Sequence, residues 1–285
     1  MMSSVNLLHY TLSAEEIALT FALINRPDLG KAILWETFGE ISAQGVEERL
    51  KAASHSLLAR GLAQISRNGI ALLDEQLQSA VFPLCTFSGM LQIVLNIRAS
   101  EEFLLLNVHL GREDMCTVHW TEQGVIHHII YGKLDQIPEM IESMVSMPHV
   151  LEDRLLSRIQ NAKHRILMES FAKIEGMTPK EGWAMLEKEY GWDVELAEAF
   201  LTDLHQFKKR GFVSYVDVNS ENIEHHNLDE AVAGLYFLVG EQGWILTFPK
   251  GDEQWGILLP GTREVFLKSV RELLIQKAQA FVEEN

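Results

Sequence analysis

Cysteine is nearly missing from this 285-residue chain: the two present, Cys85 and Cys116, belong to no Cys-x-x-Cys pair. That excludes a disulfide framework or a thiolate metal site as the organising device. Positive charge is scarce too. Lys and Arg number 24 against 40 Asp and Glu, a formal net charge of −16, and a broad phosphate-binding surface needs clustered cations. Apolar runs such as 17–24 and 103–106 fall well short of the roughly 20 residues that span a bilayer. The N-terminus carries no basic residues ahead of its first apolar stretch, so it lacks the pattern of a secretory signal, and the expectation is a cytoplasmic protein with no membrane partner. The common phosphate, hydrolase and metalloprotease signatures (GxGxxG, GxxxxGK[ST], GxSxG, HExxH) are absent as well. What the chain does have is apolar content: 47 % of residues are hydrophobic, enough to build a sizeable core and to exclude disorder over most of its length.

Local signals then outline elements. Ser13 followed by Glu16 is a capping box, with Leu12 and Ile17 as a hydrophobic staple, so a helix starts there and Pro27 is expected to stop it. A short apolar piece over 33–38 follows. A second helix is expected over 46–60, ended by Gly61, and Asn68-Gly69 between two apolar runs is a strong hairpin signal. Helices followed by a hairpin make a winged-helix-like outline over 10–75. Over 88–147 the pattern changes to short runs rich in Leu, Val, Ile and aromatics, at 90–98, 103–110, 115–121 and 125–131, which suit an antiparallel meander closed by a helix over 134–145.

The second half repeats this order. Helical pattern covers 151–174, Thr178 with Pro179 and Glu181 offers another capping box, and a helix is expected over 194–209. Strands follow over 212–216, 235–239, 243–248 and 256–259, with a terminal helix over 262–282. Arg60-Gly61 and Arg210-Gly211 are both placed between a helix end and a strand start, and Glu122-Gln123 echoes Glu253-Gln254. The fold class is therefore α+β, with two related halves, 1–150 and 151–285, each combining winged-helix-like helices, an antiparallel meander and a closing helix. In the second half the helices occupy 151–210, and the sheet and terminal helix 212–283. The polar stretch 217–229, carrying His225 and His226, is expected to be a long loop.

Chemistry-bearing clusters are few. His109, His119, His127 and His128 lie within the meander near Glu113, Asp114 and Cys116, where neighbouring strands could bring imidazoles to metal-ligand reach. Alternation works against it, because His127 and His128 must point to opposite faces of one strand. Half-exposed sheet histidines and a proton-linked interface are the other readings. The acidic pairs Glu15-Glu16, Glu47-Glu48, Glu101-Glu102 and Glu283-Glu284 sit at helix starts, turns or the terminus, which suggests solvation rather than acid–base catalysis. A winged helix that binds DNA needs a basic flank, and Lys208, Lys209 and Arg210 form one at the expected end of the helix over 194–209, although cations there also complement the helix dipole. Trp120, Trp183, Trp192, Trp244 and Trp255, with ten methionines, supply core or interface surface. The apolar positions of the terminal helix, from Val265 through Leu274 to Phe281, could mediate self-association. No catalytic, cofactor or metal residue is assigned.

Two stretches, Leu12, Ser13, Ala14, Glu15, Glu16, Ile17 and Ser56, Leu57, Leu58, Ala59, Arg60, Gly61, Leu62, together with the near repetition of the halves, resemble the EspG-like proteins, secretion-associated chaperones of actinobacterial type VII systems, and their bacterial relatives. The resemblance covers mainly the first 145 residues. It implies a non-enzymatic α+β protein that binds a helical protein partner on a sheet or helical-bundle surface, with no catalytic residues to carry over. The expected function is protein binding of a chaperone or adaptor kind, through apolar sheet or helix surface; the alternative is a winged-helix DNA-binding transcriptional regulator. The expected partner is another protein, a homodimer through the terminal helix is possible, and nucleic acid is disfavoured.

Overall fold

A computed structural model of the chain describes residues 7–69, 71–85, 90–111, 113–161, 164–216, 234–248 and 255–284. In chain order these are β1 (Leu8–Ser13), α1 (Ala14–Leu23), α2 (Pro27–Phe38), α3 (Ala43–Ala59), β2 (Ala63–Ile65), β3 (Ala71–Leu73), α4 (Glu75–Val81), β4 (Met90–Ile97), β5 (Glu102–Leu110), β6 (Met115–Glu122), β7 (Ile126–Lys133) and α5 (Ile137–Val145). They continue as α6 (Asp153–Asn161), β8 (Arg165–Leu167), α7 (Met168–Glu175), α8 (Pro179–Tyr190), α9 (Val194–Gln206), β9 (Lys209–Val216), β10 (Gly234–Val239), β11 (Gly243–Phe248), β12 (Trp255–Pro260) and α10 (Arg263–Glu284). The architecture is α+β with antiparallel strand pairing. Two compact units emerge: Met1–Met90 with Leu106–Leu134, and Leu91–Leu105 with Asp135–Asn285. In this grouping β4, the start of β5 and α5 go with the later elements, whereas the sequence expectation divides the chain near residue 150.

In the first unit the strand order is β1-β7-β6-β5. Both capping-box bonds of α1 are made: Glu16 N–H donates to Ser13 Oγ at 3.2 Å, and Ser13 N–H to Glu16 Oε2 at 2.9 Å. Pro27 does not merely stop a helix. It opens α2 near its first position, where its missing N–H costs nothing, so the apolar piece expected over 33–38 is the end of this helix. Gly61, at φ 70°, lets the chain leave α3 into the hairpin β2–β3, whose register pairs Ala63 with Leu73. Two elements escape the sequence pattern. β1 pairs along its length with β7, and α4 is capped by Asp74, whose carboxylate accepts from the N–H groups of Gln76 and Leu77. Leu12, Ile17, Phe21, Leu57, Leu77, Val81 and Ile129 form the core between helices and sheet.

In the second unit the strand order is β4-β9-β10-β11-β12-β8. β10 is buried at every position and β11 at all but one, as expected for strands covered on both faces, which read as continuous apolar runs. The single helix expected over 151–174 is broken by β8, which pairs with β12, so α6 and α7 are separate. Trp192, Phe200 and Trp244 meet edge to face at 5.4 and 5.5 Å in the centre of this core. Asp203, buried on α9, fixes the β10–β11 turn: it accepts from Glu241 N–H (2.7 Å), Gln242 N–H (3.0 Å) and Trp244 Nε1–H (2.6 Å).

One expected repeat feature fails. α9 ends at Gln206, and Lys209 and Arg210 are already in β9, paired with Val239 and Leu238. Arg210-Gly211 is thus mid-strand, whereas Arg60-Gly61 is a helix exit. Gly211 is required for a different reason: a Cβ there would lie 2.0 Å from the Val94 carbonyl oxygen and 2.5 Å from the Phe237 ring. The stretch 217–229 and the Glu253-Gln254 turn lie outside the described residues.

Candidate protein-binding surface

The meander histidines divide into two sets, as alternation along β7 requires. On one face His127 stacks on His119, ring centroids 5.2 Å apart, with His119 Nε2 and His127 Nδ1 at 2.9 Å. His127 Nε2 is buried and, among the described residues, meets no partner. An orphaned lone pair costs less than an orphaned N–H, so His127 Nδ1–H is the donor and His119 Nε2 the acceptor. Burial, reinforced by neighbouring imidazoles, pushes His119 down to about 3 and His127 to about 4, and burial alone takes His109 to about 4. These rings are held neutral within the core. On the opposite face His128 stacks on Trp120 at 4.7 Å and donates to Glu122 at 3.3 Å, with His9 alongside. Among the described residues no group of three metal-ligating side chains converges. The thiols are equally quiet: burial raises Cys85 to about 11, and Cys116 is fully buried.

Solvation of the acidic pairs fails at one position. Glu16 is buried, accepting from Ser56 Oγ (2.7 Å) and from Arg60 Nη1 (2.9 Å) while it caps α1. Glu15 pairs with Arg49 at 2.8 Å, and Arg49 lies over the Phe38 ring. Glu15, Glu16, Arg49, Ser56 and Arg60 line an open cleft of about 840 Å³ beside β1 and α3. Each guanidinium answers one carboxylate, Arg49 with Glu15 and Arg60 with Glu16, and the arrangement presents no nucleophile–base pair.

The surface that stands out is apolar, and it belongs to the second unit. β4 buries Leu91, Ile93 and Leu95, leaving Gln92, Val94 and Asn96 half-buried on the alternate face. In the neighbouring β5, Phe103 is 68 % exposed and Leu105 41 %, although they stand in a strand paired within a sheet. Large apolar side chains on a paired strand make this strip the candidate surface. Two cations of this unit are held in place by their own contacts. Arg98 donates to the His205 carbonyl at 2.6 Å, and both Arg98 and Arg210 stack on Phe207, Arg210 at 4.4 Å while paired with Glu175. Lys209 donates to the Met144 carbonyl. Lys209 and Arg210 thus lie in β9, with side chains bonded within the unit, and the basic trio 208–210 is not presented at a helix end as expected, since α9 stops at Gln206.

Sequence reasoning assigned no site residues and missed this strip. In Phe103, Leu104, Leu105 and Leu106 every position is apolar, so alternation cannot say which face stays open.

No family model matches the chain, and no curated protein matches it in sequence. In fold it is similar to a solved structure, the Mycobacterium tuberculosis type VII secretion system chaperone EspG5 in complex with the PE25–PPE41 dimer. The similarity covers 94 % of this chain and 96 % of that one, with a TM-score of 0.57 and 11 % sequence identity. Among the described residues, no helix is long and apolar enough to cross a membrane.

Proposed function

We propose that this protein is a non-enzymatic, cytoplasmic binding protein of the chaperone or adaptor kind, and that it accepts a polypeptide partner on the outward face of β4 and the start of β5. The observation that carries the reading is the exposure of Phe103 and Leu105 on β5, next in the sheet to β4. It is supported by the fold-level likeness to a chaperone solved with its protein partners and by the burial that holds His109, His119 and His127 neutral. The first three helices and the hairpin β2–β3 are read as a winged-helix-like module that serves as scaffold. The chain is further read as two copies of one ancestral unit, 1–150 and 151–285, and self-association through α10 belongs to the same proposal.

The test is a comparison of two baits in the native cell extract: the wild-type chain and the double variant Phe103→Asp, Leu105→Asp. A protein retained reproducibly by the first and lost by the second, with both baits equally stable to urea, is the expected result. Recovery of nucleic acid alone, or equal retention by both baits, would overturn the reading.

A further inference from the structure

β1 is the outermost strand of the first unit's sheet, paired on one side with β7. An antiparallel ladder turns the peptide groups of alternate residues inward and outward. The outward set here is the odd-numbered one, because the Thr11 carbonyl accepts from Arg60 Nη2 at 2.8 Å and Ser13 N–H donates to Glu16 at 2.9 Å. The C-terminal end of this edge is thus capped by the Arg60–Glu16 pair. Further along, His9 and Thr11 are exposed, and among the described residues nothing meets the His9 N–H, the His9 carbonyl or the Thr11 N–H. An open edge of this kind is a template for another strand.

The cleft of about 840 Å³ lies along the capped end of the edge. Its α3 wall is lined by Gly45, Ala52, Ala53 and Ser56, which take little room, and its charged groups are three carboxylates (Glu15, Glu16, Glu48) against two guanidiniums (Arg49, Arg60). Arg49 and Arg60 are matched to Glu15 and Glu16. That leaves Glu48, bonded to the neutral Gln44 amide at 2.9 Å, as the uncompensated charge.

We infer that β1 takes an extended segment of a partner polypeptide by strand addition, with a basic side chain of that segment set against Glu48 in the cleft. The incoming N–H replaces Arg60 at the Thr11 carbonyl, while Arg60 keeps both oxygens of Glu16. Backbone bonds supply affinity and the Glu48 contact supplies selectivity. This surface lies in the first unit and stands independently of the β4–β5 reading.

The probes are two capped eight-residue peptides of alternating valine and threonine, one carrying two lysines and its twin two glutamates at the same positions, added to the full chain. The lysine peptide is expected to bind about tenfold more tightly by fluorescence anisotropy and to slow amide exchange at His9 and Thr11. Thr11→Pro removes an outward N–H without touching the ladder to β7, as edge positions tolerate, and is expected to weaken the lysine peptide by about tenfold at unchanged melting temperature. Should that variant fail to fold, Glu48→Lys decides: it is expected to transfer the preference to the glutamate peptide. No protection at His9 and Thr11, full binding by a folded Thr11→Pro chain, or an unchanged preference in Glu48→Lys would each overturn the inference. So would concentration-dependent dimerisation that protects the same two amides without peptide, since the edge would then belong to a second copy of the chain.

Discussion

Taken from its edge strand, the first region of the chain runs β1, α1, α2, α3, a four-strand meander and α5; the second runs β8, α7, α8, α9, a four-strand meander and α10. Pairing order agrees as well, β1-β7-β6-β5-β4 against β8-β12-β11-β10-β9. Even the prolines correspond, Pro27 opening α2 and Pro179 opening α8. The differences are equally specific. The first region inserts β2, β3 and α4, and its edge strand has six residues where β8 has three. The buried acids also act differently: Glu16 answers a guanidinium, whereas Asp203 is satisfied by neutral N–H donors. Backbone order is alike where strand pairing dictates it, while the buried polar chemistry differs because any fully satisfied arrangement serves.

Acid should separate the two units most strongly. His109, His119 and His127 titrate near 6.5 when unfolded but are held down to about 4, 3 and 4 in the fold. Stability is therefore complete above pH 6.5 and falls as pH drops from there towards 4, by up to about 1.4 kcal/mol per pH unit for each histidine. All three lie in the first unit, so hydrogen exchange at pH 5 should show β6 and β7 losing protection before β10 and β11. Simultaneous loss would mean that the units are not separable.

Next in size is Asp203→Ala, which strands three N–H donors and is expected to cost about 4 kcal/mol in urea unfolding. Arg60→Ala, which leaves Glu16 its hydroxyl and backbone partners, should cost about 2 kcal/mol. Equal losses would erase the distinction between the two acids. The glycines sharpen the comparison at the smallest scale. Gly211→Ala drives a methyl into the Val94 carbonyl and the Phe237 ring and should cost about 2–3 kcal/mol. Gly61→Ala meets open space and suffers only its left-handed φ, about 1 kcal/mol. Calorimetry on the pair would reverse our reading of the two Arg-Gly steps if Gly61→Ala proved the worse.

The meander, both capping boxes and the hairpin were legible because they are local: period-two runs set between turn residues, and Ser or Thr three residues before Glu. β1 was not, since Leu8–Ser13 becomes a strand only by pairing with β7, more than a hundred residues onward. β8 is too short to show a period. Lys209 and Arg210 extend a helical pattern until β10 claims them. At the surfaces, the opposed directions of His127 and His128 could be derived from alternation, but the pairing of His127 with His119 depends on strand register. The exposure of Phe103 and Leu105 depends on what does not cover them, which no run of residues encodes.

The indole positions give the chain a built-in optical reporter. Trp192 and Trp244 are sealed in the second unit's core, whereas Trp35, on α2 of the first, is 63 % exposed. Emission from the sealed pair starts blue and must redden when the second unit opens, while in the first unit Trp35 already emits as a solvated indole and only the half-buried Trp120 is left to shift, so most of the spectral change follows the second unit.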